Sequence, residues 1–523
     1  MFSKINIFNE KQEKFKQWGI TMIKAIVFNN EITIYWDRQE NYQVGDRYKV
    51  TINETKIEEV KKTHYELYNL TSETDYKVKV ELYSSNDKFK SLVGEEVYKT
   101  KKEKNRIDVT KPPYSVVGDG KTINTKSLQK AFDDCGENDY IYIPKGEYLT
   151  GGLRLHSDSE LYVEEGATIK GSENYEDYMP KIKSRFEGIE QTCYQSLINM
   201  GELDRNGGYN CKNVVIRGGG KIVGGGQGLR LSIIEREKIL LKDYMESLGE
   251  KLKECETPVT IPGRSRGRLV NMSNCQNVVL SNINFYNGPA WNIHFIYSDN
   301  IITNRCSINS KGISNGDGWN PDSSTNCTVF DCFFDTGDDC IAIKSGKNPE
   351  GNIINKPTKN IKIFDIRVAY GHSVALGSEM SGGVDGVYIW DSDIAKIVSG
   401  IRVKVTKKRG GYVKNLFVYD CTVSSILITA KYPCNDDGEG SGEIPYLENF
   451  YFENIVLLGT ADNLHGLTYN CPAVQIDGID ENGHQVKNVT LKNCLFKRNL
   501  DNESAKISFE IVENLKMENC KFL

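Results

Sequence analysis

An asparagine followed by a short apolar run recurs along most of this chain. The shortest intervals between copies, from residue 277 to 300 and from 488 to 514, are 23 and 26 residues. A repeat of this length is one structural unit that cannot bury its own apolar face, so neighbouring units must stack. The pattern therefore predicts an all-β fold, a right-handed parallel β-helix with one coil per repeat. The copies begin at Asn213, Asn277, Asn300, Asn360, Asn415, Asn488 and Asn514.

The repeated asparagines also predict local geometry. Asparagine tolerates the left-handed backbone conformation that sharp turns require. In stacked strands, the side-chain amides of equivalent asparagines can form a hydrogen-bonded ladder. We therefore expect a ladder of asparagines along the stack, with the segments between coils forming loops around a groove on one side.

Two segments depart from the repeat, residues 173–210 and residues 227–268. Within the second, residues 233–241 have helical rather than strand-like apolar spacing. We predict that both segments are insertions added to the coil stack.

The first part of the chain has a different pattern. Residues 32–36, 48–52 and 76–80 alternate between apolar and polar side chains, which is typical of half-buried antiparallel strands. We predict a small antiparallel β-sandwich over residues 1–103.

A charged segment that ends in Pro112-Pro113 follows this region. It predicts a linker at residues 104–113, because the residue before a proline favours an extended conformation. The β-helix domain is then expected to comprise residues 114–523. Within the sandwich, Trp36, and Leu70 and Thr74 ahead of Tyr76, resemble the core tryptophan and tyrosine corner of fibronectin type III domains.

Composition and charge exclude several classes of function. The formal net charge is −5 and no stretch is broadly basic, so we expect no nucleic-acid partner. No signal-peptide core is found in the first 25 residues, and no apolar stretch is long enough to span a bilayer. We therefore expect no membrane partner and a cytoplasmic protein, or a secreted one if a native leader is missing.

The cysteine and histidine content gives no indication of a metal site. The chain has 14 cysteines without a compact spacing framework, which agrees with a reducing compartment. It contains no Cys-x-x-Cys pair, and its six histidines are scattered. We therefore expect neither a metal nor another cofactor.

Three aspartates, Asp322, Asp338 and Asp339, are candidates for acid–base chemistry. Hydrolysis of a glycosidic bond needs one carboxyl that protonates the leaving oxygen and a carboxylate that polarises water. Adjacent residues on a flat strand point to opposite faces, so Asp338 and Asp339 can serve one site where the backbone bends. Gly337 permits such a bend.

Basic residues are concentrated just downstream of these aspartates. Five of them lie within eight residues of an otherwise acidic chain, which predicts a pocket for an anionic sugar. They are Arg402, Lys404, Lys407, Lys408 and Arg409.

The order of four short segments resembles glycoside hydrolase family 28, the polygalacturonases. That family usually has Asn-Thr-Asp, Asp-Asp, Gly-His-Gly and Arg-Ile-Lys. The corresponding segments here are Asn320-Pro321-Asp322, Gly337-Asp338-Asp339-Cys340, Gly371-His372-Ser373 and Arg402-Val403-Lys404. Further matching segments extend the resemblance from Gly118 to Gly411. Pro321, Ser373 and Val403 depart from the family pattern, and we expect the first two to alter a subsite.

The resemblance implies an inverting hydrolase of α-1,4-galacturonosyl bonds in pectic galacturonides. It implies that Asp338 is the general acid and that Asp322 and Asp339 hold the attacking water. The proximity of those two carboxylates is expected to keep Asp338 protonated. His372 is expected to tune the acid by hydrogen bonding.

Substrate contacts are expected from two further segments. Arg402 and Lys404 alternate with Val403, so they share one strand face and are expected to bind the carboxylate of a uronate. By the resemblance, Trp291 and His294 line a sugar subsite, and Asn320 joins the substrate-binding set.

In the family that the chain resembles, insertions that close one end of the groove go with cleavage at a chain end. By this resemblance, the two insertions imply exo-action, with galacturonate released from a chain end. Three alternatives remain open: a hydrolase of rhamnogalacturonan or xylogalacturonan, a calcium-dependent pectate lyase that shares the solenoid, and a noncatalytic binding or adhesion protein.

Overall fold

The structure is a computed structural model that describes residues 23–255, 257–434, 439–503 and 505–523. The segment searched above for a signal peptide therefore lies almost wholly outside the described residues. The chain divides into two compact units between Lys104 and Asn105. Over the described ranges, every helix is too short or too polar to cross a membrane.

The N-terminal unit contains two antiparallel sheets, which confirms the predicted β-sandwich. Side chains from both sheets meet in one core, where Trp36 is buried and contacts Tyr48 with ring centroids 5.2 Å apart. One sheet consists of Ile23–Val27, Glu31–Trp36 and His64–Tyr68. The other consists of Lys56–Val60, Arg47–Ile52, Asp75–Tyr83 and Phe89–Lys99.

The connection between the two units is shorter than the linker that the sequence predicted. Residues Asn105–Asp108 form a strand that pairs in parallel with Asp139–Ile143. Ile107 on this strand packs against the core of the second unit, which gives the strand an apolar face to bury. The β-helix unit therefore begins at Asn105 rather than at residue 114.

The second unit is a stack of parallel coils, and the predicted parallel β-helix is confirmed. Two of its ladders run together as one 23-stranded sheet, and a third forms a separate 11-stranded sheet. Apolar side chains from all three ladders fill the interior as one continuous core.

The strands of each ladder follow in chain order. The first ladder comprises Asn105–Asp108, Asp139–Ile143, Glu160–Val163, Cys211–Arg217, Cys275–Ser281, Asp299–Asn304, Thr328–Asp335, Thr358–Tyr370, Val384–Trp390, Tyr412–Tyr419, Tyr446–Glu453, Val486–Lys492 and Val512–Glu518. The second comprises Gly146–Thr150, Ala167–Gly171, Lys221–Val223, Asn284–Tyr286, Ser307–Asn309, Asp393–Ile394, Thr422–Val423, Val456–Leu457, Leu495–Phe496 and Lys521–Phe522. The 11-stranded sheet comprises Leu153–Leu155, Ile198–Met200, Val270–Ser273, Ile293–Ile296, Trp319–Asp322, Ile341–Ile343, Val374–Gly377, Ile401–Lys404, Ile426–Thr429, Val474–Asp477 and Ile507–Glu510.

The repeated asparagines adopt the geometry that the sequence predicted. Asn213, Asn277 and Asn300 have φ values of 58°, 58° and 53°. The Asn277 amide donates to Asn213 at 3.1 Å, and the Asn300 amide donates to Asn277 at 2.9 Å. A similar run joins Asn415, Asn449, Asn488 and Asn514. These asparagines thus turn the chain and link successive coils by their amides, and Gly386 takes the equivalent position in the coil between Asn360 and Asn415.

The predicted insertions contain both added elements and one coil strand. Within residues 173–210, an antiparallel hairpin is formed by Ile182–Phe186 and Ile189–Cys193. Ile198–Met200 in the same segment pairs with the coils on either side, so this departure from the repeat is shorter than predicted. The segment at 227–268 contributes helices, and in the longest of them, Gly226–Leu240, Leu229, Ile233 and Ile234 are buried.

The helices and remaining strands lie outside the three ladders. The α-helices are Thr125–Asp133, Gly226–Leu240, Lys242–Leu248, Thr260–Gly263 and Glu350–Ile354, and the 3-10 turns are Tyr175–Tyr178, Gly249–Glu254 and Lys407–Arg409. A second hairpin pairs Thr460–Asp462 with Thr468–Asn470.

Candidate active site

The polar residues of interest lie along the 11-stranded sheet. Side chains alternate along each strand, so one set enters the core and the other faces outward. In Trp319–Asp322, Trp319 belongs to the core, and Asn320 and Asp322 lie on the outer face. Carboxylates gather where these strands begin, beside the neighbouring loops.

Three carboxyl groups, Asp317, Asp338 and Asp339, form what we call the acid cluster. The Gly318 N–H donates to the carbonyl of Asp339 at 2.9 Å, which brings two successive coils together at this point. The Asp338 side chain is 25% exposed, whereas those of Asp317 and Asp339 are 4% and 6% exposed. Asp338 is therefore the member of the cluster that a bound ligand can reach most readily.

Two buried lysines neutralise the recessed members of the cluster. Lys404 Nζ lies 2.8 Å and 2.6 Å from the two carboxylate oxygens of Asp339, and the Ser373 hydroxyl donates to the same carboxylate. Lys344 Nζ lies 3.4 Å from Asp317 Oδ2 and 3.2 Å from a Glu379 oxygen. Burial alone would lower the pKa of both lysines, but the neighbouring carboxylates raise it.

Asp338 forms a pair with His372. His372 Nδ1 lies 3.0 Å from Asp338 Oδ1, and the His372 side chain is 44% exposed. This hydrogen bond is the main reason that the pKa of His372 is raised. Burial would raise the pKa of Asp338, but His372 lowers it below its usual value. The prediction that neighbouring carboxylates keep Asp338 protonated is therefore wrong for the unliganded protein.

The crowding of carboxylates acts on Asp317 instead. Burial raises the pKa of Asp317 well above its usual value, and the charges of Asp338 and Asp339 raise it further. Burial and these charges thus favour the protonated form of Asp317, although the charge of Lys344 acts in the opposite direction.

Asp322, which the sequence assigned to the catalytic set, lies in a different environment. It is fully buried, with Oδ1 accepting from Arg185 at 2.8 Å and Oδ2 lying 3.3 Å from His294 Nε2. Burial would raise the pKa of Asp322, but Arg185 and His294 lower it to about 2. Asp317 takes its place in the acid cluster.

The coil length explains this correction. Trp319 pairs with Ile341, so one coil here advances by 22 residues. Asp317 lies that distance before Asp339, whereas Asp322 lies 17 residues before it. The repeat intervals read from the sequence would therefore have favoured Asn315-Gly316-Asp317 over Asn320-Pro321-Asp322.

Arg402 and Lys404 share one strand face, as their alternation predicted, but they make different contacts. The Arg402 guanidinium lies 4.8 Å and the Lys404 ammonium 5.3 Å from the Tyr432 ring centre. Because Lys404 is held by Asp339, it is not free to bind a substrate carboxylate as predicted. Arg402 is partly exposed and donates to the Ser399 hydroxyl at 3.1 Å.

The basic cluster as a whole does not form one pocket. Arg409 is buried and donates to Ser378 O at 3.0 Å and to Asn348 Oδ1 at 2.5 Å. Lys407 pairs with Glu481 at 2.5 Å on the surface. The predicted pocket of five cations is therefore wrong, because Arg409 and Lys404 serve internal contacts.

Trp291, His294 and Asn320 line no open subsite. The Trp291 ring stacks on Phe186 of the 182–193 hairpin with centroids 4.7 Å apart, and its own edge contacts His294. Asn320 is buried and donates to Ile293 O at 3.3 Å. Phe186 of the hairpin covers Trp291, and His294 and Asn320 are fully buried, so these side chains are not exposed for the substrate contact that the sequence predicted.

Comparisons with known proteins give the following results. The family model described as "Glycosyl hydrolases family 28" matches residues 139–499. A "Probable polygalacturonase" of Vitis vinifera is 32% identical over 323 residues, covering 59% of this chain and 59% of that protein. The "Exo-poly-alpha-D-galacturonosidase" of Dickeya chrysanthemi is 28% identical over 398 residues, covering 71% of this chain and 64% of that protein.

The chain thus spans 59% and 64% of the lengths of these two curated relatives. Among solved structures, the Yersinia enterocolitica family 28 exopolygalacturonase aligns with a TM-score of 0.75 and 20% identity. The alignment covers 95% of this chain and 96% of that one. This likeness supports the fold described above.

Proposed function

We propose, since the chain belongs to glycosyl hydrolase family 28, that it hydrolyses α-1,4-galacturonosyl bonds of pectic galacturonides. The acid cluster is the observation that carries this proposal. It presents one accessible carboxyl, Asp338, hydrogen-bonded to His372, beside two recessed carboxyls. These are the groups that glycoside hydrolysis requires.

Each member of the cluster has a distinct role in the proposed mechanism. Asp338 gives a proton to the departing glycosidic oxygen. That proton comes from the hydrogen-bonded pair of Asp338 and His372. Asp339 accepts a proton from the attacking water while Lys404 stabilises its charge. Asp317, whose pKa is raised by burial, orients that water by hydrogen bonding. Attack from the face opposite the leaving oxygen inverts the anomeric centre. Inverting enzymes in general hold their acid and base roughly 6.5 to 9.5 Å apart, which leaves room for the water.

Arg402 is the group that we assign to the substrate carboxylate. It lies on the same strand face as Lys404, next to the acid cluster, and is partly exposed. A guanidinium can bind a carboxylate through two parallel hydrogen bonds. This contact would select a uronate over a neutral sugar.

The 182–193 hairpin supports exo-action. Its Arg185 and Phe186 contact Asp322 and Trp291 on the outer face of the sheet. A chain that occupies the acid cluster is therefore blocked on this side and has room on the side of Arg402 and His372. The Dickeya chrysanthemi relative carries an exo-acting name. We propose that galacturonate is released from the chain end that meets the hairpin.

A calcium-dependent lyase fits the site less well. A lyase would need carboxylates free to bind the cation. Here Lys404 contacts both oxygens of Asp339, and Lys344 lies beside Asp317. Hydrolysis of another pectic backbone remains the second candidate, because Ser373 contacts Asp339 where the family usually has glycine.

The test is product analysis on trigalacturonate and polygalacturonate. The proposal predicts monomer as the early product from both, no dependence on calcium, and no ultraviolet absorbance from an unsaturated sugar. Absorbance that EDTA abolishes would indicate a lyase. Cleavage of xylogalacturonan or rhamnogalacturonan in preference to polygalacturonate would favour the second candidate.

For the N-terminal sandwich, we propose a fibronectin type III-like domain. The Thr71 N–H donates to the Tyr76 hydroxyl at 3.0 Å. This bond from a tyrosine hydroxyl back to the upstream backbone is the feature that defines a tyrosine corner. The buried Trp36 supports the same assignment.

A further inference from the structure

The 182–193 hairpin is attached to the β-helix by a buried ionic network. Arg185, on the first strand of the hairpin, donates to Asp322 Oδ1 at 2.8 Å and to the Ser323 hydroxyl at 2.9 Å. Arg185 and Asp322 both have no exposed side-chain surface. A buried charge is costly unless it is paired, so each of these residues holds the other in place.

Additional contacts on the second strand extend the network. The Tyr297 hydroxyl donates to Glu190 at 2.5 Å, and Arg185 donates to the same hydroxyl. His294 approaches the other oxygen of Asp322, at 3.3 Å. Asp322 therefore lies at the centre of the contacts between the hairpin and the outer face of the sheet.

The position of the hairpin decides which substrates fit. Phe186 stacks on Trp291, and Ser184 donates to Asn271 at 3.1 Å. These contacts fill the outer face over three successive coils, where a polysaccharide extending past the acid cluster would otherwise lie. A hairpin that moved away would open this face.

We infer that Asp322 is a positioning residue, which holds the hairpin over the outer face and thereby restricts cleavage to the chain end. The inference rests on the proposed function, and it gives a role to a carboxylate that takes no part in the chemistry. Asp322 acts through Arg185 and the hairpin rather than by contact with the reacting atoms.

The test compares Asp322→Asn with the matched substitution Asp317→Asn. Asp322→Asn leaves Arg185 buried beside a neutral amide, so the double variant Arg185→Met with Asp322→Asn is included, in which neither charge remains. Two measurements are made on the full chain. The first is the ratio of oligomers to monomer early in polygalacturonate digestion, and the second is amide hydrogen exchange over residues 182–193.

For Asp322→Asn and for the double variant, we expect the oligomer-to-monomer ratio to rise at least tenfold. Trigalacturonate should still be cleaved, and exchange over the hairpin should be at least tenfold faster. Asp317→Asn should lose activity while the hairpin exchanges as in the unaltered protein.

Three results would overturn the inference or its basis. A folded Asp322 variant with unchanged products and unchanged exchange would show that Asp322 does not hold the hairpin. A variant that loses activity on trigalacturonate while its hairpin stays protected would make Asp322 catalytic. Absence of any activity of the unaltered protein on galacturonides would contradict the proposed function, and the exchange data would then decide the anchoring role alone.

Discussion

At the residue scale, the candidate site is a set of paired charges. Lys404 balances Asp339, Lys344 approaches Asp317, and His372 shares a hydrogen bond with Asp338. In a buried environment such pairing keeps each group in a defined protonation state. The accessible pair, Asp338 with His372, is the one from which a proton can leave toward a substrate.

Replacing Asp317 by Asn tests the corrected acid cluster. The amide keeps the size of the side chain but removes the carboxyl that orients the attacking water, so kcat should fall by about 10²-fold, as expected for a misplaced reactant. KM should change little, because Asp317 is recessed behind Asp338. Steady-state kinetics on trigalacturonate measure both values, and an unchanged kcat would remove Asp317 from the mechanism.

Replacing His372 by Gln tests the source of the proton. The raised pKa of His372 lets the Asp338–His372 pair keep its proton to higher pH than an isolated histidine would. The rate should therefore fall as the pH rises through this raised pKa. Without His372, the proton depends on Asp338 alone, so the alkaline limb of the kcat profile should move to lower pH. An alkaline limb at the same pH in both proteins would contradict this role.

Replacing Arg402 by Lys tests recognition of the uronate. A lysine keeps the positive charge but cannot form the two-pronged contact. KM for trigalacturonate should rise about tenfold, a loss of roughly 1.4 kcal/mol in binding, with kcat less affected. Lys407→Gln is the control, since Lys407 lies on the surface and pairs with Glu481. Equal KM values for all three proteins would exclude Arg402 from substrate binding.

The sequence motifs identified several residues that lie together in the site, but they did not identify all of them. Asp338, Asp339, His372 and Arg402 lie together as the motifs indicated. The resemblance of Asn320-Pro321-Asp322 to a family motif points to Asp322, whereas the coil length favours Asp317. The Arg185–Asp322 pair could not be predicted, because it joins residues 137 positions apart.

At the scale of elements, local sequence determines the coils, whereas distant contacts determine the position of the hairpin. Many coils turn at an asparagine, which tolerates the left-handed conformation on its own, and this is why the repeat was visible in the sequence. The 182–193 hairpin has strand-forming residues, but its place over Trp291 depends on distant partners such as Asp322. A sequence pattern can therefore indicate an insertion without saying what it covers.

Replacing Asn277 by Ala tests the asparagine ladder. Alanine is unfavourable at a φ of 58° and removes the hydrogen bonds to Asn213 and from Asn300. The free energy of unfolding should fall by about 2 kcal/mol. Asn277→Gly is the matched control, since glycine accepts this φ and should restore about half of the loss. Denaturant midpoints measure both, and equal midpoints for Ala and Gly would contradict the backbone part of the argument.

At the scale of the whole molecule, a solenoid of parallel coils brings together residues from separate turns of the chain. Asp317, Asp339 and Lys404 come from three different coils and meet on one edge of the 11-stranded sheet. The predicted parallel β-helix was confirmed because the periodicity of the sequence specifies stacking, whereas the place of the 182–193 hairpin beside Trp291 and Asp322 required the structure.

The central claim is that the acid cluster holds a water on one face of the sugar and delivers a proton to the other. The most direct measurement is NMR of the anomer first released from trigalacturonate, before mutarotation. The account predicts the β-anomer of galacturonate from the α-linked substrate. Release of the α-anomer would mean retention, and it would contradict the arrangement proposed for Asp317, Asp338 and Asp339.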